Sequence, residues 1–308
     1  MTATASDLFS GLGGFTTAAE AAGLKVVWAA NHWPQAVHYH KLNHPGTLHA
    51  CQDLKQARWH EVPKHDVGLA SPCCHGHSPA RGKRRNNPEH DDSRSTAWAV
   101  VAAAEYHRQP LWVIENVPGF LNWELYPAFK MAMEMLGYSL APHRVDVADL
   151  GVPQNRERLF IVCTRSKAPL WLDLPKEPHV GADTFIDFNA GRWSAVDKPG
   201  RSPNTLARVA AGRARFGERF LAPYYGTGSG KTGRDLARPI GTIVTRDRWS
   251  VIDGDRMRML TKEENAAAMG FPASTILPDN HKLAVHMLGN AVPPPAAQRI
   301  IEAAIARA

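Results

Sequence analysis

The most reactive side chains in this sequence lie close together at residues 71–78, in the stretch SPCCHGHS. Two adjacent cysteines, Cys73 and Cys74, stand beside His75 and His77. A cysteine next to an imidazole can act as a nucleophile, because the thiolate is the reactive form and a neighbouring base favours it. The same side chains could instead bind zinc or form a vicinal disulfide, and the local sequence does not decide among the three.

Spacing argues against zinc and disulfide chemistry. Zinc sites typically pair ligands two to four residues apart and take a second pair from elsewhere in the chain. The other two cysteines, Cys51 and Cys163, form no Cys-x-x-Cys pair, and a bond between adjacent cysteines is strained. We therefore expect no bound metal and no disulfide.

A candidate acid lies in the stretch IENVPG at 114–119. Glu115 follows an apolar run and falls at the end of a predicted strand, where open α/β folds bind their ligands. A carboxylate buried there can donate a proton or accept a hydrogen bond from an amino group. A strand-end acid that caps a helix explains a single such residue more simply, so Glu115 does not define a function by itself.

Two arginines precede the next apolar run, in GVPQNRERLFIV at 151–162. Arg156 and Arg158 share one face of an extended segment, because alternate residues of a strand point the same way. Their guanidinium groups could be directed at a phosphate or a base. A surface cluster of ion pairs explains them almost equally well.

The N-terminal stretch DLFSGLGGF, 7–15, joins a short strand to a helix. Its glycines, Gly11, Gly13 and Gly14, allow a tight turn and a close approach of the backbone to a ligand. The stretch lacks the lysine of a phosphate-binding P-loop, which argues against a nucleoside triphosphate. A nucleoside-type cofactor over the strand ends remains open.

Hydrophobic patterns predict the elements that position these residues. β-rich runs predict four strands at 24–30, 66–70, 111–114 and 158–164, and helical periodicity predicts helices at 15–22, 97–106, 127–136 and 296–306. Strands that alternate with helices indicate an α/β fold with a largely parallel sheet covered on both faces. The sheet is expected to end near Thr164.

The composition changes after this predicted sheet. Residues 169–237 combine many Pro, Gly and Arg residues with scattered aromatics and little periodicity, which predicts a small irregular domain rather than disorder. Arginines such as Arg192, Arg213 and Arg215 alternate with aromatic side chains, a mixture that suits nucleic acid. A solvated basic surface is the alternative.

The overall composition is that of a globular protein, with 308 residues, 44% apolar and 21% charged. No apolar run approaches the roughly 18 residues of a membrane helix, and the N-terminus lacks the features of a signal peptide. We therefore expect a cytoplasmic protein. A formal charge of +7 and a pI of about 9.3 suit a polyanionic partner, although many basic proteins bind none.

The order of these stretches is more specific than any one of them. DLFSGLGGF, a Pro-Cys loop, ENV, QNRERLF, a variable basic insert, RPIGTIVTR and GNAVPP follow one another as in the cytosine-5 DNA methyltransferase family, which this sequence resembles over nearly its whole length. The resemblance implies a Rossmann-like, S-adenosylmethionine-dependent methyltransferase domain at 1–168. It further implies a small irregular target-recognition domain at 169–285 and a C-terminal helix at 286–308 that returns to the catalytic domain.

The resemblance also implies a site for S-adenosylmethionine. The residues expected around this cofactor are Asp7, Phe9, Gly11, Leu12, Gly13, Gly14, His32, Asp53, Asn290 and Val292. His32 is a departure, because the family usually has a glutamate there that holds the ribose hydroxyls. An imidazole can accept one hydroxyl hydrogen bond but not two, so we expect weaker cofactor binding or a modified donor.

In this family a cysteine thiolate adds to carbon 6 of a flipped cytosine, which makes carbon 5 nucleophilic. Counting back from Ser78, which matches the serine four residues after the family's cysteine, gives Cys74 as the nucleophile. Cys73 follows the proline directly but would require one inserted residue. His75 replaces the family's glutamine and would either favour the thiolate or fill space near the base.

The resemblance assigns three further catalytic residues and a set of DNA contacts. Glu115 matches the acid near ring nitrogen 3, and Arg158, with Arg156 in the same Gln-x-Arg-x-Arg pattern, matches the group beside the base carbonyl. The residues expected to contact double-stranded DNA are Ser78, Arg81, Lys83, Arg84, Arg85, Arg192, Arg213 and Arg215.

Two other functions remain open at this point. An RNA methyltransferase of the same fold is one, because His75 departs from the DNA-modifying pattern. A catalytically silent DNA-binding relative is the other, although Glu115 and Arg158 argue against it. We expect a monomer that modifies DNA in a prokaryotic or phage restriction-modification setting.

Overall fold

The computed structural model describes residues 2–73, 95–224 and 233–307, and these form two compact units. The first unit comprises Met1–Leu150, Glu157–Lys176 and Ala291–Ala308, and the second comprises Gly151–Arg156 and Glu177–Asn290. The predicted division of roles between a catalytic and a recognition domain stays a prediction. The structure adds that the second unit includes the short segment 151–156, which precedes the last strand of the first unit's sheet.

The first unit contains a seven-stranded sheet in the order β3-β2-β1-β4-β5-β7-β6. Its strands are β1 (Thr4–Leu8), β2 (Lys25–Asn31), β3 (Leu48–Cys51), β4 (Val67–Ala70), β5 (Leu111–Asn116), β6 (Ser139–Asp146) and β7 (Glu157–Thr164). The pairs β3-β2, β2-β1, β1-β4 and β4-β5 are parallel, whereas β7 runs antiparallel to both β5 and β6. The prediction of a largely parallel sheet that ends at Thr164 is confirmed.

Eight α-helices occur in the described residues. They are α1 (Gly14–Ala21), α2 (Pro34–Asn43), α3 (Ala97–His107), α4 (Tyr126–Met135), α5 (Pro203–Phe216), α6 (Lys262–Ala268), α7 (His281–Asn290) and α8 (Pro294–Ile305). Within the described ranges, no helix combines the length and apolar character that a membrane span requires.

The central strand β5 is buried on both faces, because its alternate side chains enter two different cores. Trp112 and Ile114 pack in one core with the alanine-rich face of α3 and with α4. Leu111 and Val113 pack in the other with α1 and α8. Fully burying a large apolar side chain stabilises a fold by about 1.5–3 kcal/mol, so this double cover holds the strand that carries Glu115 firmly in place.

The second unit is more regular than the sequence predicted. Its four strands are β8 (Ser194–Ala195), β9 (Arg219–Pro223), β10 (Trp249–Asp253) and β11 (Arg256–Met259), which form an antiparallel sheet in the order β8-β11-β10-β9. Helix α5 packs against β9 through Gly212, where a Cβ would lie only 2.2 Å from the ring of Phe220. The sequence does not indicate this sheet because its strands are two to five residues long and because β8, β9 and β10 are far apart in the chain.

The parallel strands bring several predicted site residues to one edge of the first sheet. Parallel strands end on the same side, so the residues that follow β1, β2 and β4 lie at their common carboxyl edge. Phe9, His32 and Ser71 directly follow those strands, and Glu115 lies near the end of β5. The candidate site is therefore set by strand order.

Candidate active site

The turn after β1 has the backbone conformation that its glycines predict. Phe9, Gly11 and Gly13 have φ values of +64°, +54° and +101°, in the left-handed region where a residue with a Cβ is strained. A Cβ on Gly14 would lie 2.0 Å from the carbonyl oxygen of Val292, which follows the GNAVPP motif's asparagine by two residues. The turn thus packs directly on the C-terminal motif, backbone against backbone.

Asp7 lies on β1, two residues before this turn, and is fully buried. Its Oδ2 accepts a hydrogen bond of 2.8 Å from the hydroxyl of Thr16, and its Oδ1 has no hydrogen-bond partner among the described residues. Helix α1 begins at Gly14 without a side-chain cap, so its first amides are available to an acceptor. A buried orphan acceptor and uncapped amides fit a polar, nucleoside-type cofactor.

Two of the remaining predicted cofactor residues follow strands of the same sheet. His32 is exposed immediately after β2, and Asp53 follows β3 with 45% of its side chain exposed. The carboxylate of Asp53 accepts from the backbone amide of Lys55 at 3.0 Å. Asn290 ends helix α7 in the second unit, whereas Val292 belongs to the first.

The Pro-Cys loop begins at Ser71 in the stretch SPCCHGHS, and its first residues are hydrogen-bonded to the ends of two strands. The hydroxyl of Ser71 donates to the carbonyl of Phe9 at 3.2 Å, and the amide of Asn116 donates to the carbonyl of Pro72 at 3.0 Å. The backbone amide of Cys73 donates to the hydroxyl of Thr96 at 3.0 Å. The chain entering the loop is therefore tied to the chain leaving it, and Asn116 and Thr96 are functional candidates that sequence reasoning missed.

The predicted nucleophile, Cys74, lies outside the described residues. So do His75, Ser78, Arg81, Lys83, Arg84 and Arg85, and their roles stay predictions. Among the other cysteines, burial raises the pKa of the Cys163 thiol far above its usual range, which makes this thiol a poor nucleophile. Cys51 is exposed at the end of β3, and Cys73 is half-buried beside the predicted nucleophile.

Glu115 and Arg158 form an ion pair, with Nε of Arg158 2.9 Å from Oε1 of Glu115. Only 10% and 12% of their side chains are exposed. Glu115 is opposite Phe160 in the antiparallel pairing of β5 with β7, and Arg158, two residues before Phe160, is its diagonal neighbour on the same face. The structure thus brings together two of the predicted catalytic residues.

Arg156 does not join this pair. Its Nη1 donates to the carbonyl of Ile243 at 2.6 Å and its Nη2 donates to the carbonyl of Gly289 at 2.8 Å, all within the second unit. Two main-chain carbonyls therefore fix this guanidinium. These contacts give Arg156 a structural role, and its predicted catalytic role stays a prediction.

Gln154 reinforces the same anchorage. It is fully buried, its amide donates to the carbonyl of Ala268 at 3.1 Å, and its Oε1 accepts from the backbone amide of Ile243 at 2.8 Å. Gln154 and Arg156 therefore hold the segment 151–156 in the second unit. Arg158, two residues further on, belongs to the first unit.

The three arginines predicted to contact DNA in the second unit differ in their surroundings. Arg192 is exposed, and the guanidinium of the exposed Arg215 lies 5.1 Å from the ring centre of Phe216. Arg213 instead donates to the carbonyl of Gly254 at 2.7 Å and to Asp255 at 3.1 Å. Arg213 thus has internal partners, whereas Arg192 and Arg215 present their charges at the surface.

Strand order and the glycine turn after β1 define a Rossmann-like domain, with a paired carboxylate and guanidinium at the carboxyl edge of its sheet. The sequence signature of the C-5 cytosine-specific DNA methylase family matches residues 3–192 and 202–306. The chain belongs to this family.

Relatives agree with this assignment. The chain is 28% identical to the type II methyltransferase M.MspI of Moraxella sp over 305 residues. This alignment covers 96% of this chain and 69% of the relative. It is 27% identical to the type II methyltransferase M.HhaI of Haemophilus parahaemolyticus, in an alignment that covers 93% of this chain and 89% of the relative. The solved structure of a Spodoptera frugiperda DNMT2 mutant covers 99% of this chain with a TM-score of 0.70 and 16% identity, a match that shows a shared fold.

Proposed function

We propose that this protein methylates carbon 5 of cytosine in double-stranded DNA, with S-adenosylmethionine as the methyl donor. The observation that supports this most directly is the buried pair of Glu115 and Arg158, at the same sheet edge as the anchored entry to the Pro-Cys loop. Family membership supplies the reaction class, and the pair supplies the acid and the donor that this reaction needs at a pyrimidine.

Cys74 would act as the nucleophile. Its thiolate would form a bond to carbon 6 of the target cytosine, and the displaced electron pair would make carbon 5 nucleophilic. Carbon 5 would take the methyl group that the bound cofactor supplies, with the sulfonium's sulfur–methyl bond breaking to leave a neutral thioether. Loss of the carbon-5 proton to water and cleavage of the bond between sulfur and carbon 6 would then restore the aromatic ring and the thiolate. The backbone amide of Cys73, the residue before Cys74, is hydrogen-bonded to the hydroxyl of Thr96.

Glu115 and Arg158 would hold the base. The carboxyl group of Glu115 would meet ring nitrogen 3 and the adjacent amino group, where charge changes when the thiolate adds. Arg158 would donate to the base carbonyl. Their mutual ion pair fixes both side chains before the base arrives, so little reorganisation is needed during the reaction.

The turn at 9–14 would hold the cofactor, which supplies an electrophilic methyl group on a sulfonium. Asp7, the uncapped start of α1 and Asp53 offer the polar atoms that such a nucleoside-type molecule requires. His32 offers an imidazole where the family usually has a carboxylate, and we expect weaker binding of the ribose as a result.

The DNA contacts would come from the basic residues of the Pro-Cys loop and from the exposed Arg192 and Arg215. Phosphate contacts make the affinity fall steeply as salt concentration rises, and the target base must leave the helix before the thiolate can reach it. We propose a type II modification setting, as the names of the relatives suggest, with the protein acting as a monomer in the cytoplasm.

The test uses the purified chain, methyl-labelled S-adenosylmethionine and long unmethylated phage DNA, which contains most short recognition sequences. Nucleosides from the digested product are identified by mass spectrometry, with total tRNA as a parallel substrate. We expect 5-methylcytosine in DNA alone. 5-methylcytosine in tRNA alone would overturn the choice of substrate, and salt-dependent DNA binding without any modified base would indicate a silent relative.

A further inference from the structure

The first three residues of the Pro-Cys loop are each hydrogen-bonded to a different element of the first unit. The backbone amide of Ser71 donates to the carbonyl of Leu8 at 3.1 Å, at the end of β1. The carbonyl of Pro72 accepts from the side chain of Asn116 at 3.0 Å, at the end of β5. These partners lie on the two strands that flank β4, from which the loop departs.

The third contact reaches a helix instead of the sheet. The backbone amide of Cys73 donates to the hydroxyl of Thr96 at 3.0 Å, and Thr96 directly precedes α3. Both residues are half-buried, and they are 23 positions apart in the sequence. The bond therefore joins the start of the loop to the helix that follows the loop.

The hydroxyl of Thr96 does not cap this helix. A threonine before a helix commonly accepts a hydrogen bond from an amide of the first turn and so stabilises the helix. Thr96 makes no such bond, and its backbone is helical, with a φ of −63° and a ψ of −24°. The hydroxyl accepts from Cys73 instead. Stability of the helix alone does not explain this use of the side chain.

The hydrophobic core fixes Thr96 in turn. Ala97, the next residue, is only 1% exposed and packs in the same core as Trp112 of β5. The strand β5 also carries Glu115. The partner of the Cys73 amide is therefore held by the core that holds the predicted acid.

The position of a nucleophile has a large effect on its rate of attack. A misplacement of about 1 Å can cost about 100-fold. Cys73 is the residue directly before Cys74, the predicted nucleophile. A hydrogen bond on the amide of Cys73 restricts the backbone one residue before the predicted thiol.

We propose that Thr96 is a positioning residue for the attack on cytosine, because its hydroxyl holds the amide of Cys73 and so restricts the backbone that leads to Cys74. The proposal rests on the proposed function, in which Cys74 attacks carbon 6. Thr96 acts only through Cys73 and contacts neither the base nor the cofactor in this role. Its loss should therefore slow the attack and leave the binding of DNA and of S-adenosylmethionine unchanged.

The first test observes the hydrogen bond itself. Because the chain has four cysteines, protein labelled with ¹⁵N at cysteine gives at most four backbone amide signals, and Cys73→Ser assigns the signal of Cys73 by its absence. We expect this amide to exchange slowly with solvent in wild type and in Thr96→Ser, and to exchange faster in Thr96→Val. Equal exchange rates in all three proteins would overturn the proposal. This readout needs no methylation.

The second test measures the rate at which the covalent adduct forms. Duplex DNA that contains 5-fluorocytosine is mixed with the enzyme at saturating S-adenosylmethionine, and the trapped protein is followed over time. Thr96→Val should lower this rate by between about tenfold and a hundredfold, and kcat should fall while the KM for the cofactor and the Kd for DNA stay unchanged. Thr96→Ser keeps the acceptor and should react at the wild-type rate. Equal rates in Thr96→Val and wild type, or equal losses in the two variants, would contradict the role.

Thr164→Val is the matched control. Thr164 is also a buried threonine of the first unit, and its hydroxyl is hydrogen-bonded to that of Ser166 at 2.8 Å. It ends β7 opposite Leu111, which begins β5, so it lies at the other end of that strand from Glu115. We expect this variant to trap DNA at the wild-type rate. A loss as large as that in Thr96→Val would show that both changes act through stability alone.

A double-mutant cycle shows whether Thr96 acts through Cys73. Cys73→Pro removes the amide hydrogen, and the proline ring restricts φ. If the bond between the two residues carries the effect, Thr96→Val should slow trapping in the wild-type background but not in Cys73→Pro. Equal losses in both backgrounds would overturn the proposal. If Cys73→Pro is inactive by itself, the comparison of Thr96→Ser with Thr96→Val decides.

Failure of the proposed function and failure of the positioning role give different results. If the wild type binds DNA and S-adenosylmethionine but neither traps nor methylates DNA, the proposed function fails and the positioning role fails with it. If the wild type traps DNA and the Thr96 variants all react at the same rate, the positioning role fails alone.

Discussion

Nε of Arg158 lies 2.9 Å from Oε1 of Glu115, although the two residues belong to strands that meet only when the sheet forms. Each side chain is about nine-tenths buried. Removing one partner of a buried pair leaves the other uncompensated and is strongly destabilising. The pair therefore links the stability of the sheet edge to the chemistry proposed for it.

Glu115→Gln should abolish most methyl transfer and lower the thermal stability, because Arg158 loses its charged partner, while the folded variant still binds DNA. A positioned general acid contributes typically about 10²–10⁴-fold, and the amide keeps the shape but cannot supply a proton to ring nitrogen 3. The rate of methyl transfer and the Kd for duplex DNA are measured side by side. Glu105→Gln, at an exposed position of α3, is the control. If Glu115→Gln transferred methyl groups at a rate within threefold of wild type, Glu115 would have no role in the mechanism.

Gly14→Ala should disrupt the cofactor turn, because the added methyl group would meet the Val292 carbonyl at 2.0 Å. Overpacking of this kind costs about 1–3 kcal/mol, and affinity for S-adenosylmethionine should fall with it. Gly46→Ala is the matched control, since no atom lies within 4 Å of its added Cβ. Thermal unfolding and calorimetry report both effects, and similar behaviour of the two variants would contradict the close packing of the turn.

Gln154→Leu should destabilise the second unit. The substitution keeps much of the side-chain volume but leaves the Ile243 amide and the Ala268 carbonyl without their partner. A buried polar group left unsatisfied costs about 1–3 kcal/mol. Limited proteolysis with mass spectrometry of the fragments locates the loosened region, with Gln298→Leu on α8 as the control. Cleavage confined to the first unit would show that the anchorage is unimportant.

Acid should destabilise the first unit partly through His107. Burial, with a contribution from His65, lowers the pKa of His107 from 6.5 to about 4. The folded state therefore keeps this ring neutral, while the unfolded chain takes up a proton below about pH 6.5. Stability from this group is complete above pH 6.5 and is lost as the pH falls toward 4. Urea unfolding at several pH values should show a shallower decline for His107→Gln than for wild type, and parallel curves would exclude the effect.

Much of the fold could be predicted from the sequence, because strands β2, β4, β5 and β7 are apolar runs flanked by turn residues. Strand β6 was not predicted because it contains Pro142 and polar residues. Such residues are found in strands at the edge of a sheet, where β6 lies. The sheet of the second unit escaped because its strands are two to five residues long.

Site residues that directly follow a strand could be predicted from the sequence. Site residues whose hydrogen-bond partners are far away in the chain could not. Glu115 and the turn at 9–14 are visible as strand-end motifs. Arg156 reads as a reactive arginine in sequence, yet its carbonyl partners lie 87 and 133 residues away. The bond from Asn116 to Pro72 spans 44 residues, and no local pattern indicates it.

In the proposed mechanism a thiol of the Pro-Cys loop attacks cytosine, with Cys74 as that thiol. The most direct measurement is covalent trapping on duplex DNA in which 5-fluorocytosine replaces cytosine, because fluorine at carbon 5 prevents the release step. We expect wild type and Cys73→Ser to form a stable protein–DNA adduct in the presence of S-adenosylmethionine, and Cys74→Ser to form none. An adduct with Cys74→Ser but not with Cys73→Ser would reverse the assignment, and the absence of any adduct with active wild type would contradict the covalent mechanism.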